Sequence, residues 1–538
     1  MGARCPRGWR DSGDDIVGSI LVAGVAVLLG YAAWARGGTP ARMQPPLLIG
    51  GVALILGVAL LSVFAGCVAE RGERGRPTYR SLAKDPILWL GATFLLFLAV
   101  QWWNTGRHLE FDSVASRWGY TPPPHPGWPS SITRREAFEM ICWFLPALGV
   151  ALAVRSPWVT RRHVWGLYYV LSANAAVLSA FGIYRFLIGS KTIWGVEIGD
   201  KFFATFGYIN HGSAFFVLAS ALTVGLLMRE CFAQDRRARA WVIAALLVAA
   251  VLNMVGVHLS FCRAGMAFAW SFVLIAGIYG IRRSRRDLTP ARQAYLAIGV
   301  VAIALIAFLA IAHLAHREVL RELEQRIGQS EFTWAQYFFG GRERSFPAAW
   351  AIWKDNPWFG VGGWGFSHFL ACYIPQSLWT WAAEPGWANV HNDPLQFLAE
   401  FGVVGAGLLA LSVVLLIASI VQSGVWRRSI GVMVLLGCTM VWLHSLIDLP
   451  FRCPAILYTW GLLLAVLPKV TGDRRQETGS GEGNVERRTL NEGRRHSVQN
   501  HGKRQQHAER EWKSLGFLLR LPPTPAMIMQ RQHSVSAA

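Results

Sequence analysis

Acidic side chains are scarce in this sequence: 32 Asp and Glu stand against 52 Lys and Arg over 538 residues. No Asp-rich metal motif can be assembled from them. The eight Cys show no paired spacing, and most sit inside or beside apolar runs. That excludes a disulfide framework and a Cys/His metal site as readings. No convincing internal repeat occurs, which counts against the repeat-built transporter folds. Isolated ionisable residues do not recur at the centres of the apolar runs, where a proton-coupled transporter places its acids.

What the chain has in abundance is apolar sequence. Hydrophobic residues make up 53% of it, gathered into runs separated by short basic stretches. A hydrocarbon core about 30 Å thick needs ~20 apolar residues per helix. Twelve runs meet that need: 16–35, 46–69, 86–104, 137–154, 163–187, 213–229, 240–258, 264–281, 291–313, 396–421, 430–446 and 454–468. The expected fold is an all-α integral membrane protein of about twelve transmembrane helices. The first run carries an Ala33-x-Ala35 pattern like a signal-peptide site, but its length and the charge pattern make it a retained helix.

Charge sets the orientation. With the N-terminus inside, the loops 70–85, 155–162, 229–239, 282–290 and 422–429 hold 18 Lys and Arg among 52 residues, against 16 among 161 in the opposite loops. This is the positive-inside bias, and it places both termini in the cytoplasm. The formal charge of +20 is explained by that topology and by anionic inner-leaflet lipid, so no nucleic-acid partner is read from it.

Two regions follow: a membrane domain over 1–468 and a basic, polar tail over 469–538, expected to be disordered and cytoplasmic. The outer loops are unequal. Residues 105–136 and 188–212 form two of them. Residues 314–395, between the ninth and tenth runs, form a large one that opens on a charged amphipathic stretch, "HREVLRELEQRI". A loop of that length rich in Trp and Phe is expected to be ordered and functional.

Polar constellations gather on the same outer side. "GRERSFPAAWAIWKDNPWFGVGGWGF" at 341–366 is followed by "HNDPLQFLAEFG" at 391–402. The glycines of "GVGGWG" permit close approach of a ligand to the backbone. His391 and Asn392 stand at the mouth of the tenth helix. A His there is suited to accept a proton near neutral pH, or it belongs to an ordinary loop and helix cap. Arg263, in the short turn of "HLSFCRAGMAF", offers five donors suited to phosphate; the alternative is an Arg snorkelling to headgroups. Asn210 and His211 in "FFATFGYINHGSAFF" precede the sixth helix, with Lys201 close by, and Asn210 would equally serve as a helix cap. Arg185 ends the fifth helix. In "HSLIDLPFRCPA", His444, Asp448 and Arg452 lie four apart, and a structural ion pair among them is the favoured reading.

At these residues the chain resembles the O-antigen ligase and O-antigen polymerase superfamily, the multi-spanning transferases of bacterial surface polysaccharides. The family pattern is an Arg, then "DxPxxGxGxxxF", then "HNxxLQxxxExG". Here it reads Arg342, "DNPWFGVGGWGF" and "HNDPLQFLAEFG", which includes Glu400 and Gly402. The family's "SRxG" is similar to "SFCRAG", with Ser260 displaced and Arg263 and Gly265 retained. Its "TFxNxN" is similar to "TFGYINH", where Tyr208 replaces an Asn. The resemblance spans roughly 160–465.

The resemblance implies a lipopolysaccharide-type glycosyltransferase of the bacterial inner membrane, acting without metal or other cofactor on the periplasmic side. Its donor would be a glycan on undecaprenyl pyrophosphate, and its acceptor a hydroxyl on a lipid or a second glycan. It implies His391 as general base and Arg263 and Arg342 as pyrophosphate ligands, with Arg185 a further one. Asn210, His211, Asn392 and Glu400 would be substrate-binding or structural. No soluble nucleotide-sugar site is visible. Two other classes stay open: a polysaccharide-lipid transporter, and a scaffold without catalysis. Ligase and polymerase are not separated.

Overall fold

A computed structural model describes residues 7–70, 83–113, 117–198, 202–232, 240–287, 345–379 and 389–471. The expected ninth span at 291–313, most of the large loop, Arg342, Lys201 and the tail beyond Thr471 lie outside the described residues. Within them the protein is helical. The helices are α1 (Arg7–Trp34), α2 (Gln44–Glu70), α3 (Pro86–Trp103), α4 (Arg134–Arg155), α5 (Arg161–Leu187), α6 (Ile209–Cys231), α7 (Ala240–Leu259) and α8 (Arg263–Asp287). They continue with α9 (Ser345–Asp355), α10 (Gly365–Tyr373), α11 (Asp393–Gln422), α12 (Ser429–His444) and α13 (Pro454–Thr471). Two short antiparallel hairpins complete it: β1 (Leu109–Asp112) with β2 (Arg117–Tyr120), and β3 (Thr192–Ile193) with β4 (Val196–Glu197).

Ten helices among the described residues are long and apolar enough to cross a membrane, and α12 is a shorter apolar helix. They coincide with eleven of the twelve hydrophobic runs. Local signals set several helix ends. Asp85 caps α3, its side chain accepting from Ile87 N at 3.0 Å, with Pro86 at the first position. The same carboxylate takes a two-pronged bond from Arg155 at the far end of α4, at 2.6 and 3.1 Å. Thr133 caps α4, and Asn392 caps α11.

Burial separates the helices by role. The spanning window of α6 is 83% buried and that of α13 is 78%, whereas those of α8 and α11 are 22% and 17% buried. So α6 and α13 form the centre, and α8 and α11 turn most of their surface outward, as lipid-facing helices do. Lipid supplies no hydrophobic drive between helices, so close approach relies on small residues. Gly256 of α7 lies against Ser179 and Phe216, and Gly437 of α12 against Ala221. Nothing larger than hydrogen fits at Gly265, where an added Cβ would lie 1.5 Å from Ser213 Oγ. This seats the start of α8 on the outer end of α6.

The element that shapes the surroundings of His391 is a break in α11. Gly402 has φ 62° and ψ −170°, a conformation that interrupts the helix. The segment 357–362 lies in that break. Val361 N and Gly362 N donate to Ala399 O and Glu400 O at 3.1 and 2.8 Å, while Val403 N and Val404 N donate to Pro357 O and Trp358 O at 2.8 and 3.1 Å. Backbone groups orphaned by the break are thereby satisfied, a requirement that is severe near a membrane. The contact admits no side chain: a Cβ on Gly360 would lie 2.4 Å from the Glu400 carbonyl, and one on Gly402 2.3 Å from Trp358 O. Gly360 of "GVGGWG" therefore serves the approach of backbone to backbone. The expectation that these glycines admit a ligand is corrected: Gly362 lies on Ser131 and Gly363 on Met140.

Candidate active site

The strap 389–392 leads into α11 and carries His391. Its backbone is left-handed, at φ 57°, a conformation unusual for any residue but Gly, Asn or Asp. Strain of this kind persists only where the surroundings over-determine it. Here they do. Gln396, one turn into α11, accepts from Val390 N at 3.1 Å and donates to Asn389 Oδ1 at 3.0 Å. Ser345 donates to Val390 O at 2.9 Å. Asn392 accepts from Leu395 N and donates to Leu446 O, both at 3.0 Å. Asn392 thus acts as a helix cap that also ties the strap to the end of α12.

The segment after α12 meets His391 from the other side. Asp448 places Oδ1 3.6 Å from His391 Nδ1. It also accepts from Tyr208 OH at 3.0 Å, from Leu449 N at 2.9 Å and from Asn210 Nδ2. Asn210 donates to Tyr208 OH as well, at 2.7 Å. His211 bonds through Nε2 to Leu449 O at 3.0 Å. Asp448 is 1% exposed and His391 7%. Asp448 is thus a buried carboxylate held in place by neutral donors, with one oxygen turned to the imidazole.

Arg263 opens α8 beside this cluster. The preceding Phe261 is left-handed, at φ 53°. Cys262 Sγ lies 4.0 Å from His444 Nε2 and accepts from Gly265 N. The turn is therefore wedged between α6 and the end of α12. Arg185 is placed otherwise. Its Nη2 donates to Thr192 Oγ1 at 3.3 Å and its guanidinium lies 5.7 Å over Phe181, so it braces the β3–β4 hairpin. The adjacent Phe186 packs on Phe261 at 6.1 Å.

The grouping of His444, Asp448 and Arg452 is corrected. The helix ends at His444, and Arg452 turns away from Asp448 to pair with Glu400 of α11. Both partners are buried, at 2% and 0% exposure. The Arg452 guanidinium also lies 4.6 Å over the Trp364 ring, and Glu400 accepts from Gln396 at 3.0 Å. The ion pair favoured among the three is replaced by Arg452 with Glu400, because the helix ends at His444 and the turns through Pro450 carry Arg452 to α11.

Several participants were not singled out in the sequence: Gln396 as the latch of the strap, Trp364 as the platform under Arg452, and the Glu136–His368 pair. The substitution of Tyr208 for an Asn was the one available hint of the Asp448 network. All six non-glycine residues with positive φ among the described residues (Arg36, Trp194, Ala204, Phe261, Trp364 and His391) lie in segments that the charge pattern assigns to the outside. No group of three or more His, Cys, Asp or Glu among the described residues is placed to hold a metal ion.

His368 of α10 has both Glu136 carboxylate oxygens 2.9 Å from its Nε2. The hydrogen bond to Glu136 holds its imidazole above the usual range, against the opposing effect of partial burial. Because the folded value is raised, this bond stabilises fully below the ordinary imidazole value of about 6.5. Its contribution is lost as pH rises through the raised value. The protection factors of the amides over 365–373, with exchange corrected for its intrinsic pH dependence, are therefore expected to fall as pH rises above neutral in the wild type. In His368→Gln that pH dependence disappears; an unchanged profile in the variant would refute the assignment.

No curated protein matches the chain. Residues 248–410, which contain Arg263, Arg342, His391, Asn392 and Glu400, match the family model described as O-antigen ligase. The resemblance to the O-antigen ligase and polymerase superfamily is thereby borne out, and the chain is a multi-pass membrane protein carrying an O-antigen ligase-type domain.

Proposed function

We propose that the protein transfers a glycan from undecaprenyl pyrophosphate to an acceptor hydroxyl at the periplasmic face of the inner membrane, without a metal ion. An O-antigen ligase or polymerase-type activity on lipid-linked glycan follows from the family match. The observation that carries the finer reading is the buried His391–Asp448 pair at the outer end of broken α11. Nδ1 of His391 faces Asp448, which leaves Nε2 to receive a proton. The acceptor oxygen loses its proton to Nε2 and bonds to the anomeric carbon as the bond from that carbon to the pyrophosphate oxygen breaks. The electron pair leaves with the pyrophosphate, where Arg263 and Arg342 offset the charge that builds. Asp448 orients the ring and stabilises the imidazolium. Tyr208 and Asn210 hold Asp448, and His211 fixes the carbonyl beside it. Glu400 and Asn392 act structurally in this scheme, and Arg185 steadies the outer hairpin. The membrane domain, 1–468, carries the chemistry, with both termini cytoplasmic.

Purified protein in maltoside micelles, given a lipid-pyrophosphate-linked glycan and a hydroxyl acceptor, is expected to transfer the glycan in excess EDTA. Arg263→Ala is expected to lower kcat/KM at least about tenfold, the cost of losing a charge-assisted hydrogen bond. Translocation of the lipid-linked glycan in vesicles with no transfer to any acceptor would replace this reading with that of a transporter.

A further inference from the structure

The turn between α1 and α2 is strained and firmly held. Arg36, Gly37 and Gly38 have φ values of 59°, 74° and 76°. Two of the three are glycines, for which such angles are ordinary; Arg36 is not. The turn is pinned to both chain segments that build the candidate site. Cys453 Sγ donates to Gly37 O at 3.3 Å, and a Cβ on Gly38 would lie 2.9 Å from Pro454 Cβ. Thr205 Oγ1 donates to Ala33 O at 2.6 Å, and Phe206 packs against Gly37. These are the neighbours of Tyr208 and Asn210 on one segment, and of Asp448 and Arg452 on the other.

The turn presents a guanidinium at the edge of that site. A Cβ on Gly207 would lie 3.3 Å from Arg36 Nη2 and 4.0 Å from its Nε. The next residue is Tyr208, whose hydroxyl donates to Asp448, the partner of His391. The Arg36 Nε is buried with no hydrogen-bond partner among the described residues. Partial burial, and then the like charge of Arg42, hold the guanidinium below its usual range. A strained residue that is pinned on two sides and places a guanidinium beside a second cation is arranged to receive an anion.

We propose that Arg36 is a phosphate-binding residue at the rim of this site, engaging the phosphate of a lipid, foremost the diphosphate of the lipid-linked donor. The identification of that lipid with the donor rests on the function proposed above. The planar guanidinium suits two phosphate oxygens at once.

The test uses the full chain and Arg36→Gly, which removes the guanidinium and suits the positive φ, so the turn is kept. Arg36→Lys accompanies it as the variant that retains charge. Polyprenyl pyrophosphate binding is measured in dodecyl maltoside micelles, which contain no phosphate. Phosphatidylglycerol retention is measured by native mass spectrometry. Arg36→Gly is expected to weaken polyprenyl pyrophosphate binding about tenfold or more, with Arg36→Lys in between and thermal stability no lower than that of the wild type. Unchanged pyrophosphate affinity with loss of a retained phosphatidylglycerol assigns the same chemistry to a headgroup. No change in either measurement overturns the proposal. If the wild type itself fails to bind polyprenyl pyrophosphate, the proposed donor falls, and the phosphatidylglycerol measurement still decides the role of Arg36.

Discussion

Replacing His391 with Asn is expected to lower kcat/KM for glycan transfer by about 10²–10⁴-fold, the usual contribution of a positioned general base. Asn is the informative replacement. His391 sits at φ 57°, and Asn adopts that region more readily than most residues. An amide of similar size preserves the strap but cannot accept a proton. The variant should therefore fold, bind donor and fail at the proton transfer. Asp448→Asn is expected to fall less steeply, because it removes the charge facing Nδ1 at 3.6 Å but leaves Nε2 in place. The decisive reading is the first one. Transfer at wild-type rates by folded His391→Asn would remove His391 from the chemistry and leave the scaffold alternative standing.

The second large effect is one of stability. Arg452→Met and Glu400→Ala are each expected to destabilise the protein by about 3–5 kcal/mol, because each leaves the other member of a buried ion pair without its partner. Both residues are almost wholly buried, so solvent screening gives little relief. The double variant Arg452→Met/Glu400→Leu is expected to recover much of the loss, since apolar replacement of both partners removes the uncompensated charge. Thermal unfolding of the purified variants measures this, and single variants as stable as the wild type would rule it out. Activity should report on the pair too. Arg452 holds Glu400, Glu400 accepts from Gln396, and Gln396 fixes Asn389 and Val390 immediately before His391. A folded fraction of either single variant should therefore lose kcat more than it raises KM, because the strap that aims the imidazole is loosened.

Much of the architecture was legible in the chain. A lipid solvent demands about twenty apolar residues for each crossing, and the eleven corresponding helices among the described residues appear where that demand predicts. Asp85, Thr133 and Asn392 cap three of these helices through local side-chain bonds. The motif that set off His391, Asn392 and Glu400 lies within the matched family domain.

Partnership was a different matter. Glu400 and Arg452 are 52 residues apart in the chain, and the spacing of four within the segment pointed instead to an ion pair among His444, Asp448 and Arg452. The structure chose Glu400 because Pro450 and the turn before it redirect the backbone. The glycines of 360–363 read as a ligand cradle, since a glycine in sequence marks only that something must come close. What comes close is the backbone of α11 where Gly402 breaks it. Composition and periodicity thus determined on their own the class of protein and its helices, because those depend on solvent and on neighbours along the chain. Which carboxylate faces His391, which one neutralises Arg452, and that Arg36 from the first turn lies beside Gly207 were decided only by tertiary packing. Contacts between helices distant in sequence set those distances, and no spacing along the chain encodes them.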